Sequence, residues 1–316
     1  MKIAETVTFG GSGLERHAEL RGTQDASPAQ GDLAVLVWRG KIFMDIDPTK
    51  GLALIDASHS ICSTASHLFL GRDNGIGLHA FDISWWEPED QDLPDGTSFF
   101  DPSLQVHPDL PQTQAFCELR SRMNELTPRE AELAATAKAL FHWHRSHKFC
   151  PKCGGRTEIR QSGWQLSCSD CQAPQFPRTD PVVIMLITHG DSVLMGRSHG
   201  WPEKMYSLLA GFIEPGETIE AAVRREVYEE ASIRVGQVSY LASQPWAFPY
   251  SLMFGCHSEA ETTDINVDPE ELDDAFWITK SELHEVFSGN SDRIMPARKG
   301  SIAHFLVKNW LADRLE

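Results

Sequence analysis

The chain has 316 residues, with 28 Lys plus Arg against 45 Asp plus Glu and a formal charge of −17. That length allows two domains, or one large domain with an insertion, each with its own core. The acidic balance argues against a protein whose main task is to hold nucleic acid by neutralising phosphates, and it means that a polyanionic substrate needs metal ions to approach.

Up to about residue 84, the apolar runs LAVLVW, IFMDI, LALIDA, LFLG and IGLHAFDIS, broken by Gly, Asp and Pro, read as strands of an antiparallel N-terminal domain. The start, MKIAETVTF, lacks the charged-then-apolar layout of a signal peptide, and no stretch reaches transmembrane length, so a cytoplasmic protein is expected. Residues 85–112, rich in Pro and Asp, are expected to form a long surface loop. A helix follows. Thr127, Pro128 and Glu130 supply its N-cap, first-turn proline and capping-box glutamate, and Leu133, Ala137, Leu140 and Phe141 turn inward.

This helix leads into two CxxC knuckles, Cys150 with Cys153 and Cys168 with Cys171, separated by fourteen residues. Two such turns deliver four thiolates to one tetrahedral Zn²⁺ with no open position, which is a structural site. Gly154 and Gly155 give the first knuckle its backbone freedom. A redox CxxC needs only one pair and sits at the start of a helix in a βαβ context. Cys62, Cys117 and Cys256 are scattered and read as small buried or incidental thiols.

Beyond the knuckles, PVVIMLIT and SVLMGR flank His189, Gly190 and Asp191 as a hairpin, and YSLLAG feeds the stretch GFIEPGETIEAAVRREVYEEASI at 211–233. On a helix, Glu226, Glu229 and Glu230 fall at i, i+3 and i+4 and share one face. Such a cluster repels itself unless a cation sits among it. Ile219, Val223, Val227 and Ala231 form the opposite apolar stripe, Thr218 is the N-cap, and Glu217 is placed to pair with Arg225. Hard carboxylate oxygens suit Mg²⁺ or Mn²⁺; the alternative is a solvated acidic face. The strands VSYLAS and SLMFGCHS then surround SQPWAFPYS at 243–251, where prolines stiffen the loop, Trp246, Phe248 and Tyr250 offer flat faces, and Gln244 and Ser251 offer hydrogen bonds. That combination suits a dinucleotide with planar bases. Thr279 with Glu282 caps a further helix, and residues 301–315 form an amphipathic one with Ile302, Phe305, Leu306 and Trp310 on one stripe. No internal repeat is visible.

Gly211, Glu217, Arg225, Glu226, Val227, Glu229, Glu230 and Ile233 match the pattern G-x5-E-x7-R-E-U-x-E-E-x-G-U, with U a bulky aliphatic residue, and so resemble the Nudix box; Ser232 stands where the pattern has its last glycine. With the knuckles, FPRTDP at 176–181, SQPWAFPYS and SIAH at 301–304, the chain resembles the NADH pyrophosphatase branch of the Nudix hydrolases, strongly over its C-terminal half and in general layout over the rest. The resemblance implies an α+β chain: a Nudix α/β/α sandwich over 177–316, preceded by a zinc ribbon over 146–176 and a β-rich N-terminal domain with a linking helix over 1–145. It assigns catalytic Mg²⁺ or Mn²⁺ to Glu226, Glu230, Glu271 and the backbone carbonyl of Ala210. It gives substrate contacts to Phe176, Ala210, Phe212, Gln244, Pro245, Trp246, Ala247, Phe248, Pro249, Tyr250, Ser251 and Ala303. Glu229 is the candidate general base. Phe176 stands where some members have a tyrosine. Arg120 is either a match to an N-terminal arginine that reaches substrate or a surface arginine; Glu271 is either a ligand or a solvated neighbour of Glu270; Phe212 either stacks or packs.

The activity implied is hydrolysis of the NADH or NAD⁺ pyrophosphate to NMN(H) and AMP, with structural Zn²⁺ and a homodimer whose active site draws on both chains. Alternatives are removal of NAD caps from RNA and hydrolysis of another nucleoside diphosphate derivative. No membrane partner is expected. A nucleic-acid module built on the ribbon has a thin surface, since two arginines and one tryptophan lie between the knuckles. A binding-only Nudix domain would normally lack one or more of Glu226, Glu229 and Glu230.

Overall fold

A computed structural model describes residues 3–88 and 101–315. The chain divides into two compact units, one of Met1–Gly10, Asp180–Pro245 and Ser251–Glu316, the other of Gly11–Thr179 and Trp246–Tyr250.

In the second unit the apolar runs become β1 (Leu33–Trp38), β2 (Lys41–Asp45), β3 (Leu54–Asp56), β4 (Ser66–Asp73) and β5 (Ile76–Asp82), joined by β6 (Gln114–Cys117), which the sequence did not signal. They form a sheet of order β4-β5-β1-β2-β6, with β3 also on β1. The expectation of an antiparallel domain is corrected here, because β5 runs parallel to β1 with Leu33 opposite Leu78. A parallel pair needs a crossover, and β2, β3 and the 3-10 turn Ser60–Cys62 carry the chain across before the β4–β5 hairpin returns. Of the stretch expected as a surface loop, 89–100 lies outside the described residues, while Gln105 bridges Phe116 and Leu110 is buried. A short helix α1 (Leu119–Arg122) precedes α2 (Pro128–Ser146), whose capping box is complete and whose Leu133, Ala137, Leu140 and Phe141 are buried.

The ribbon hairpin, β7 (Thr157–Arg160) and β8 (Gln165–Cys168) with β9 (Pro174–Gln175), is pinned to the N-terminal sheet. Trp164 Nε1 donates to Phe69 O at 2.7 Å and Ser162 Oγ to Arg21 O at 2.7 Å. Gly163, at φ +96°, lies so close to β4 that a Cβ there would sit 2.1 Å from Leu68. The turn has no room for any side chain.

In the first unit, β10 (Asp180–His189) is the central strand, and its alternation builds two cores. Val183, Met185 and Ile187 face one way; Ile184 and Leu186 face the other. A two-residue turn with Gly190 at φ +59° leads to β11 (Ser192–Ser198), followed by β12 (Leu209–Phe212), α3 (Ile219–Ala231), β13 (Val235–Trp246), β14 (Ser251–Ala260), β15 (Leu272–Thr279), α4 (Lys280–Phe287) and α5 (Ile302–Leu311). The sheet order is β13-β14-β10-β11-β15, with β12 also on β10. Val223, Val227 and Ala231 of α3 join the first core, and Leu283, Val286, Ile302, Leu306 and Trp310 of α4 and α5 join the second. The result is the expected three-layer sandwich. Capping at Thr218 and Thr279 follows the sequence, the latter as a full capping box.

The sequence shows no internal repeat, but the strand topology does. Strands β1 and β10 each pair antiparallel with the next strand, antiparallel with the third and parallel with the fifth, and β2–β6 matches β11–β15. Both sheets are then followed by two helices. One topology occurs twice.

Candidate functional site

The Nudix-like helix docks through its apolar stripe, and this fixes where its acids lie. Glu226 and Glu230 are buried, whereas the Glu229 side chain is 49% exposed. The three acids therefore do not act as one face: Glu229 parts from the pair. Glu226 lies against β12, and a Cβ on Gly211 would stand 1.9 Å from its carboxyl carbon. The first glycine of the pattern is thus the space that the carboxylate occupies.

Arg225 organises the rest. Its guanidinium donates to Glu217 at 2.7 and 2.8 Å, to Glu226 at 2.9 Å, to Glu229 at 2.9 Å and to the Phe212 carbonyl at 2.9 Å. Bonds from Arg225 and from the Glu214 N–H hold Glu217 down at about 2. The pairing of Glu217 with Arg225 was legible in the sequence; the reach to Glu226, Glu229 and β12 was not.

Glu271 arrives from another element. The segment before β15 is tied to the end of α3 by Asn266 N–H to Ala231 O at 3.0 Å and Asp268 N–H to Glu230 O at 3.1 Å, and Glu271 N–H closes on Asp268 O at 3.2 Å. Carboxylate oxygens of Glu226, Glu230 and Glu271 then lie within 4.8 Å of one another. Ser232 takes the left-handed conformation, φ +59°, at the C-cap of α3, which explains the glycine of the family pattern there. Its hydroxyl donates to Asn266 O at 3.1 Å and supports the same segment. His199, which no sequence pattern marks, grips the other side: its ring nitrogens face Pro269 O at 2.9 Å and Asp273 Oδ1 at 2.5 Å, and both acceptors raise its pKa.

Burial raises the pKa of Glu226 despite Arg225. Burial also pushes Glu230 up to about 8, helped by the charges of Glu226, Glu271 and Glu229. Glu230 Oε2 is buried with no hydrogen-bond partner. A buried carboxylate oxygen without a partner, beside two further carboxylates, fits a hard divalent cation.

Ala210, on β12 opposite Ile184, is exposed, and Phe212, two residues on, is 60% exposed. Phe212 is therefore not a packing residue of its unit. Gln244 is buried, with Nε2 donating to Thr8 O and Gly300 O and Oε1 accepting from Ile302 N–H, each at 2.8 Å. Both of its amide protons are taken and the side chain is fully buried, so no donor is left for a ligand. The Ala303 side chain is in the core; Ile302 N–H goes to Gln244 and His304 N–H to Ser301 Oγ, so Ala303 N–H is the first-turn donor of α5 without a bond among the described residues. Ser251 opens β14 beside Asp180.

The remaining expected substrate residues, Pro245 excepted, belong to the second unit. Phe176 is 68% exposed there. Phe248 has Arg120 at 4.7 Å and Lys138 at 5.5 Å over its ring, with Trp246 edge-on at 4.8 Å. Tyr250 is buried against His142 at 5.4 Å and Arg178 at 5.1 Å, so its flat face, expected to be offered, is already covered. Ala247 is buried, while Pro245 and Pro249 are exposed. In the same unit, Cys150 and Cys171 have sulfurs 3.7 Å apart, Cys153 and Cys168 have theirs 3.4 Å apart, and all four fall within 4.8 Å. A tetrahedron with bonds of about 2.3 Å puts sulfurs roughly 3.8 Å apart, so the cluster fits Zn²⁺.

Three family models match in succession: an NADH pyrophosphatase-like rudimentary NUDIX domain over residues 31–143, an NADH pyrophosphatase zinc ribbon over 145–176 and a NUDIX domain over 177–298. The chain belongs to the Nudix family. It is 37% identical over 221 residues to the NAD-capped RNA hydrolase NudC of Stutzerimonas stutzeri, covering 70% of this chain and 76% of that one. It is 44% identical over 200 residues to the NAD-capped RNA hydrolase NUDT12 of Homo sapiens, covering 59% of this chain and 43% of that one. It is also 35% identical over 230 residues to the mitochondrial NAD(P)H pyrophosphatase NUDT13 of Homo sapiens, covering 68% and 65%. The match to the human NUDT12 chain thus spans less than half of that relative's length.

Proposed function

We propose that the protein hydrolyses the pyrophosphate bond of NADH or NAD⁺ to NMN(H) and AMP, with Mg²⁺ or Mn²⁺ held by Glu226, Glu230, Glu271 and the Ala210 carbonyl. The observation that carries this reading is Glu230 Oε2, buried without a partner within a three-carboxylate cluster. Once bound, such a cation neutralises the pyrophosphate, polarises phosphorus and lowers the pKa of a bound water. Glu229, at the exposed edge of the cluster and oriented by Arg225, takes the proton of the attacking water. Phe212 presents a flat face to a base. Gln244 contributes by setting the start of α5, where Ala303 offers its N–H.

Zn²⁺ in the ribbon is structural and distinct from the catalytic ion, as soft thiolates against hard carboxylates require. No described helix is long and apolar enough to cross a membrane; a cytoplasmic homodimer is the working arrangement. A second reading, removal of NAD caps from RNA by the same chemistry, is favoured by the names of the NudC and NUDT12 relatives. AMP release is to be compared for NADH, NAD⁺, ADP-ribose, diadenosine polyphosphates and NAD-capped RNA, with Mg²⁺ or Mn²⁺ and zinc retained. No AMP from any NAD-containing substrate overturns the proposal, and a preference for capped RNA selects the second reading.

A further inference from the structure

A cavity of about 260 Å³ lies between α2, the edge of the N-terminal sheet and the ribbon, lined wholly by residues of the second unit. Its floor includes Phe141 and Leu166, both buried, and its wall carries Arg145, Lys148 and Arg156 against one acid, Asp82. Arg145 Nη1 pairs with Asp82 Oδ2 at 3.0 Å, which cancels that pair of charges. Lys148 and Arg156 have no carboxylate partner among the described residues, although the chain carries a net −17. Backbone pairing joins the two segments that carry them: Thr157 N–H donates to Lys148 O at 3.0 Å, and Phe149 bridges Arg156. Both side chains are exposed; the Arg156 guanidinium lies over the Phe149 ring at 5.7 Å from its centroid, and neither cation has a side-chain hydrogen bond among the described residues.

We propose that this cavity binds the phosphate of a nucleotide. Two uncompensated cations match the double charge of a phosphate monoester or two successive phosphodiesters, and a guanidinium fork fits phosphate oxygens in two-point fashion. The apolar floor accepts a sugar or base edge. The volume falls below the roughly 300–1,000 Å³ that encloses a drug-sized ligand, so one phosphate and its sugar fit rather than a whole dinucleotide. None of these residues belongs to the carboxylate cluster, and the site stands or falls independently of the hydrolase reading. The phosphate comes either from a free mononucleotide or from the backbone of an RNA strand.

The zinc-loaded full chain, without Mg²⁺ or Mn²⁺, is titrated with inorganic phosphate, with AMP and with an oligoribonucleotide lacking a terminal phosphate, as wild type and as the Lys148→Gln, Arg156→Gln double variant. The double variant is expected to bind AMP or the oligonucleotide at least tenfold more weakly, with zinc content and melting temperature unchanged. Loss confined to phosphate and AMP assigns the cavity to a free monoester. Loss for the oligonucleotide, with the slope of log affinity against log salt reduced by about 1 per removed cation, assigns it to the strand. Affinities within twofold of wild type for all three ligands, or no binding by the wild type, overturn the proposal. Should the double variant not fold, Ile159→Glu, which adds an acid at a 39% exposed position of the wall, is held to the same thresholds.

Discussion

The two sheets share one strand order and one pair of trailing helices, yet among the described residues only the C-terminal one carries a cluster of three carboxylates. Between β12 and β13 the chain inserts the 13-residue helix α3 with its acids; between β3 and β4 it makes a three-residue 3-10 turn. The N-terminal sheet accordingly has no carboxylate trio among its described residues, and its polar interior is instead a chain of Asp32, His79 and His67 linked at 3.1 and 2.8 Å. A sheet of this topology is a frame, and the insertion after its third strand determines whether it holds a cation.

The sharpest way to break that contrast is to strip the acids. Glu230→Gln and Glu229→Gln should each lower turnover about a hundredfold or more; Glu230→Gln should not lower the melting temperature of the metal-free protein, since a carboxylate is removed from a self-repelling cluster, and Glu229→Gln gives up only a half-exposed ion pair with Arg225. Asp56→Asn, at the end of β3 in the other sheet, should leave turnover within twofold. Wild-type-like turnover in both glutamate variants would erase the difference between the sheets.

A smaller effect is expected at β12. Phe212→Ala should reduce kcat/KM for NADH roughly tenfold to a hundredfold, the scale of one lost base stack, and reduce it much less for ADP-ribose, which lacks the second base. Equal losses on both substrates, with a lower melting temperature, would return Phe212 to a packing role.

Electrostatics separates the sheets in the absence of any substrate. Glu230 titrates at about 8 in the fold against an ordinary 4.5, so between those pH values the folded chain holds a proton that the unfolded chain has released. Stability of the metal-free protein should then fall as pH rises through this window, by up to about 1.4 kcal/mol per unit from this group. Chemical denaturation across pH 5 to 8 in chelator too weak to strip zinc tests the slope. Glu230→Gln, or saturating Mg²⁺, should flatten it; an unchanged slope in the variant would place the titrating group elsewhere.

The smallest effect concerns Ser232. Its left-handed conformation costs a serine more than a glycine, so Ser232→Gly should stabilise by about 0.5 kcal/mol, the gain trimmed by the lost bond to Asn266 O. A clear fall in melting temperature would show that the hydroxyl bond outweighs the backbone relief.

Much of the catalytic unit was legible because local signals agreed. The stripe from Val223 to Ala231, the caps at Thr218 and Thr279 and the knuckles at Cys150 and Cys168 each carry a spacing that only one local geometry satisfies. What escaped depends on distant pairing. The parallel partnership of β1 and β5 is set by the crossover between them, and β6 is only four residues next to a Pro-rich stretch. The repeat is hidden because β-pairing is a backbone property met by many sequences, and because α3 has only a short turn as its counterpart. Helical spacing placed Glu229 with Glu226 and Glu230; docking of α3 against β12 divided them, since the buried edge of the helix accommodates two of the three acids. Spacing alone gave Glu271 no partner at all. The amide of Gln244 looked available for a ligand until its backbone partners were in place.

Those partners bear on how the molecule can be taken apart. Val7 packs in the core beside Ile184 and Leu306, and Gln244 Nε2 is satisfied by Thr8 O. The hydrolase domain therefore closes with a segment that lies some 170 residues upstream of its main body. A truncated product beginning at residue 177, where the NUDIX family match starts, would lack that plug, leaving a hydrophobic gap and an unanswered amide proton behind α5. Dissection at the homology boundary cuts through the catalytic domain, and only a version that fuses residues 1–10 back onto the fragment keeps the domain whole.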